Sequence, residues 1–167
     1  MEDERYDLGR VALALTFAGG LDEAEVGAVR TKLRRLRALG VGQASRPDGL
    51  TTRDVLALAL GMELLQFGLA AERVAALMTR GHADPVGAVL EEWSGPQPKE
   101  RFVAQFPRRL GGEDDREVNG DPLSIVTASD LAAWLEDDSD AVGRLLAVRV
   151  RGVVRRLQRG LQRASLR

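Results

Sequence analysis

A chain of 167 residues with 24 basic and 25 acidic side chains has a net charge of −1, which excludes a protein whose whole surface coats a polyanion. At 44% hydrophobic it has material for a real core, and without cysteine it has neither disulfides nor thiolate metal ligands. The single histidine, His82, leaves little from which to build a zinc site or a serine-type triad.

The opening MEDERYDLGR is acidic and has no apolar run before Leu8, so no signal peptide is expected. No stretch reaches the length of a membrane span, and the expectation is a soluble, cytoplasmic protein. Residues 6–17 place Leu8, Val11, Ala12 and Leu15 on one helical stripe, which ends before Gly19-Gly20. A second helix is predicted from Leu21. Asp22 and Glu25 form a capping box, Val26, Val29, Leu33 and Leu36 form the buried stripe, and Gly40 is the left-handed stop that lets Val41 fold back. The joint at 18–20 is long enough only for a turn between two packed helices.

Pro47-Asp48-Gly49 is a turn signal within 40–54, read as a hairpin or a plain loop. Thr51 or Thr52 then caps an aliphatic helix that runs to about Phe67 and stops at Gly68; residues 69–80 form a short helix with Val74, Leu77 and Met78 inward. Asp84-Pro85 opens another helix, and SGPQPKE breaks the chain after it. ERFVAQF and LSIVT read as strands, and Thr127 or Ser129 caps a helix over 130–135. For residues 143–150 two readings compete: a third strand, from the alternation of Leu146, Val148 and Val150, or one continuous helix over 142–161. Val153, Val154, Leu157 and Leu161 give a terminal helix on either reading.

Charge is segregated along the chain. Arg30, Lys32, Arg34, Arg35 and Arg37 share the second helix, and no acid occurs between Val26 and Pro47. A helix fits the major groove, and arginine pairs with guanine or with phosphates, so this face is the candidate DNA surface. A merely solvated face is the competing reading. Arg46 and Arg53 are expected as backbone contacts. A second segregation places Arg144, Arg149, Arg151, Arg155, Arg156, Arg159, Arg163 and Arg167 after the last acid, Asp140. Pairing with the acids at 113–117 and 136–140 is the favoured explanation there. The adjacent carboxylates Glu91-Glu92 and Asp137-Asp138 point different ways on a helix, and no phosphate loop or nucleophile elbow occurs, so catalysis has no support in the sequence. Trp93 and Trp134 fall on apolar faces and are read as core or interface.

Gly40-Val41, Arg46-Pro47-Asp48-Gly49, Thr51-Thr52-Arg53-Asp54-Val55 and Glu63-Leu64-Leu65-Gln66-Phe67-Gly68-Leu69 occur in the order of the wing and following helix of MerR-type transcription regulators. The first half of the chain resembles that family, and Tyr6-Asp7-Leu8-Gly9-Arg10-Val11-Ala12 is similar to its opening segment. Arg34-Arg35-Leu36-Arg37 stands where the family carries Arg-Tyr-Tyr, and Leu50 stands where its wing carries a tyrosine. Pro85, Gly95, Pro96 and Pro98 interrupt the region of its long coiled-coil helix.

The resulting expectation is an α+β, mainly α protein. Residues 1–82 form a winged helix-turn-helix domain, and residues 83–167 form a small α+β module for dimerisation, partner binding or effector sensing. The expected activity is sequence-specific binding of double-stranded DNA by a homodimeric regulator, through Arg30, Lys32, Arg34, Arg35, Arg37, Arg46 and Arg53, with no cofactor. The alternatives are a protein-interaction module with a basic docking helix, or an architectural DNA binder without sequence preference.

Overall fold

The computed structural model describes residues 5–42, 49–79, 83–105, 123–137 and 146–166. Its helices are α1 (Leu8–Ala18), α2 (Val26–Ala38), α3 (Thr52–Gln66), α4 (Ala71–Thr79), α5 (Pro85–Ser94), α6 (Ala128–Asp137) and α7 (Val150–Ala164). Its strands are β1 (Arg101–Gln105), β2 (Ser124–Thr127) and β3 (Leu146–Arg149). The described chain is therefore α+β and mainly α.

Local chemistry sets the helix ends. Asp7 caps α1 by accepting from the Arg10 N–H at 2.9 Å. The Glu25 carboxylate accepts from the Asp22 N–H at 3.1 Å, closing the anticipated capping box, but over a single 3-10 turn that leads into α2. At the other end Gly40 has φ +99°, and the Val41 N–H returns to the Leu36 carbonyl at 3.0 Å, which buries Val41. Thr51 and Asp54 cap α3 reciprocally: Asp54 accepts from the Thr51 N–H, and Thr51 Oγ1 accepts from the Asp54 N–H. Asp84 accepts from the Gly87 N–H, and Pro85 supplies the first helical position of α5. Thr127, paired with Asp130 in the same way, opens α6.

The hub is α3. Its side chains are buried without interruption from Asp54 through Met62, because α2, α4, α5 and α7 all pack against it. One core cluster runs from Tyr6, Val11 and Leu33 through Leu56 and Leu60 to Val148, Leu157 and Leu161. The division expected at residues 82/83 runs through this shared core, and α1 and α7 make its most extensive helix contact.

Strand order is β2-β1-β3, antiparallel throughout, with Val103 opposite both Ile125 and Val148. Of the two readings of this region, strand holds over Leu146–Arg149, and helix begins at Val150 with no loop between them. Alternation explains the arrangement: Val103, Leu146 and Val148 enter the main core, while Ala104 and Val126 face Leu131 of α6, with Phe102, Ala147 and Trp134 packed beside them. Trp93 packs against the main core. Tyr6 and Leu50 form an isolated antiparallel bridge, each N–H donating to the other's carbonyl at 2.9 and 2.8 Å. The Pro47 turn and Arg46 lie outside the described residues, as does His82. No described helix is long and apolar enough to cross a membrane.

Candidate nucleic-acid interface

α2 is held by one narrow stripe. Val29, Leu33 and Leu36 are buried against α1, α3 and α4, and Val26 is partly buried. Gly61 of α3 makes room for this contact, since a Cβ there would lie 3.1 Å from Leu36 Cδ1. The rest of the circumference is open. At about 100° per residue, Arg30, Arg34 and Arg37 fall on one stripe, at positions i, i+4 and i+7, and span roughly 10 Å along the axis. Lys32 and Arg35 project from the opposite flank, Arg35 on the side where Glu72 of α4 lies.

These cations are not equivalent. Arg30, Lys32 and Arg34 are exposed, Arg37 is half-buried, and none of the four has a carboxylate partner among the described residues. The Arg37 Nε is out of solvent without an acceptor. By contrast, the Arg35 guanidinium is paired with Glu72 of α4. The hydrogen bond from Arg35, with the Glu72 N–H assisting, holds the Glu72 carboxyl below its usual range. Arg53 is paired with Asp84 at 2.7 Å. Burial by itself raises the Asp84 carboxyl, but hydrogen bonds from Arg53 and the Gly87 N–H outweigh it, and the net shift is downward.

Thus the structure gathers Arg30, Lys32, Arg34 and Arg37 on α2 without neutralisation, and ties Arg35 and Arg53 to carboxylates. Glu72 and Asp84 are too far along the chain, and in other elements, for helical spacing to have indicated them.

The C-terminal arginines are also sorted, though not as anticipated. Arg149 pairs with Glu100, Arg151 with Glu92 at 2.7 Å, and Arg156 with Glu63 at 2.7 Å. The acids come from α3, α5 and the segment before β1, because α7 lies back across the core toward them. The acids at 113–117 and 138–140 lie outside the described residues. Arg155, Arg159 and Arg163 point outward on α7 with no carboxylate partner among the described residues. Sequence reasoning assigned this set no binding role; the absence of acid after Asp140 was its visible sign.

A cleft of about 290 Å³ opens between Gly40, Val41, Arg53, Asp54, Ala57, Met78 and Val86. Its charged groups are already engaged, Arg53 with Asp84 and Asp54 with Thr51. Among the described residues, no group of three or more His, Asp or Glu side chains is placed to hold a metal ion.

No family model, curated protein or solved structure matches the chain.

Proposed function

We propose that the protein is a sequence-specific DNA-binding transcription regulator in which α2 is the groove-reading helix and α1 the helix that supports it. The observation that carries the reading is the unneutralised stripe of Arg30, Arg34 and Arg37, with Lys32 across the helix from it, on a helix that buries only three side chains fully. A helix held so narrowly presents enough of its circumference to enter a groove about 12 Å wide. Arg35 and Arg53 then serve as secondary contacts: exposed ion pairs contribute little, so a phosphate can take the guanidinium from Glu72 or Asp84.

The Tyr6–Leu50 bridge supports a winged arrangement, because it brings the segment after α2 back beside the start of α1. Homodimerisation through the 83–167 segment follows from the same reading, since two half-sites supply the affinity that one short helix lacks.

Titration of the intact protein on its own upstream region and on a random duplex tests the proposal. Preferential binding that is lost on Arg30→Ala with Arg34→Ala supports it. Binding unchanged by that pair of substitutions removes α2 from the interface, and no binding to any duplex sinks the reading.

A further inference from the structure

We infer that the outward face of α7 is a second contact surface for nucleic-acid phosphates, distinct from α2 and indifferent to base sequence. The choice of a duplex as the polyanion rests on the DNA-binding reading; the surface itself is argued from α7. Every arginine of 149–156 that has an acid within reach is tied to it, and the three that turn away, Arg155, Arg159 and Arg163, follow at i, i+4 and i+8. Gln158 and Gln162 lie exposed between them. Like charges at this spacing oppose helix formation, and no acid on the same face offsets them. Two contacts hold the heads in place without neutralising them: the Arg159 Nε donates to the Arg155 carbonyl at 3.3 Å, and the Arg163 guanidinium sits 4.6 Å from the centre of the Phe17 ring.

The other side of α7 decides what kind of partner fits. Val150, Val153, Val154, Leu157 and Leu161 are buried, and Gly160 lies directly against the α1 backbone. The helix therefore has no apolar face to offer a bilayer, as an interfacial helix must. Only charge and hydrogen bonding remain. Guanidinium forks match phosphate oxygens two at a time, and glutamine amides add further donors. Three such heads in steps of about 6 Å track a phosphate backbone and read no bases.

The test uses the intact protein and its Arg155→Gln/Arg159→Gln/Arg163→Gln variant, titrated on the upstream duplex and on a random one from about 50 to 200 mM salt. The variant is expected to bind both at least tenfold more weakly, with its preference between them unchanged. The slope of log affinity against log salt should be shallower by about 3 per bound protomer. Arg159→Gln alone, which leaves the stripe otherwise whole, should shift the slope by about 1. A variant with the parent's slope and affinity overturns the inference and leaves α2 standing. Loss in the α7 variant without loss in the α2 variant keeps the inference and discards α2. Retention of the parent protein on anionic phospholipid vesicles or on an acidic protein, but on neither duplex, overturns both.

Discussion

Gly160 of α7 lies so close to Ala14 of α1 that a Cβ at position 160 would fall 2.1 Å from the Ala14 carbonyl oxygen. No real Cβ tolerates that separation, and the obstacle is backbone rather than a side chain that can swing aside. Gly160→Ala therefore has to push α1 and α7 apart along the most extensive helix contact in the core, at a cost of about 2–4 kcal/mol. Urea unfolding should show the lower midpoint. Gly27→Ala is the control: nothing lies within 4 Å of a Cβ there, so replacing this glycine in the first turn of α2 should leave stability unchanged or raise it by up to about 0.5–1 kcal/mol.

Glu92 gives the expected pH dependence. Burial raises this carboxyl, but hydrogen bonds from Arg151 and the Gln97 N–H, with the charges of Arg151 and Arg101, bring it net below its ordinary 4.5. A carboxyl depressed in the folded state stabilises above its unfolded value, and the contribution disappears as pH falls through the folded value. With a side chain only 6% exposed, Glu92→Gln should cost on the order of 1–3 kcal/mol at pH 7. The difference between variant and parent should close as pH falls from the ordinary carboxyl value through the lowered folded one. A difference that stays constant throughout an acid titration assigns the loss to packing instead.

The α3 cap is a simpler case. Thr51→Ala removes one half of a reciprocal pair whose other half, Asp54, is buried, so a loss of about 1 kcal/mol is expected in thermal unfolding. Thr51→Ser keeps the acceptor and should restore most of it.

Glu72 should act as a brake on DNA affinity under the proposed function. Glu72→Gln leaves Arg35 without a carboxylate, so binding should tighten and the salt slope should steepen by up to about 1 per protomer. With four unneutralised cations on each α2, a bound dimer should show a slope on the order of −7 before any contribution from α7. Fluorescence titration across a salt series measures both.

What was legible in the sequence was local. Asp22 with Glu25, Thr51 with Asp54, Gly40 at a positive φ and Asp84 before Pro85 each announce a helix end, because the groups that satisfy the ends lie three or four residues away. Where a partner lies far along the chain, the pattern is silent. Residues 146–149 suit periods of 2 and 3.6 almost equally, and pairing with Phe102 through Gln105 is what makes them a strand. The same holds for charge: the presence of a basic α2 was plain, but which of its cations Glu72 would neutralise depended on how α4 packs. For Arg149, Arg151 and Arg156 the sequence pointed to acids nearby in the same half, whereas the course of α7 brought Glu63, Glu92 and Glu100 within reach.

Arg10 and Ser165, which share a hydrogen bond, are 155 positions apart, and the helices that carry them close the core together. At about 5–20 residues per second, a ribosome finishes α1 roughly 7–30 s before it finishes α7. Throughout that interval α2 is in place beside α1, but the face of α1 that α7 covers in the finished fold stays open. The α1–α7 closure should also be the slow, late event of refolding.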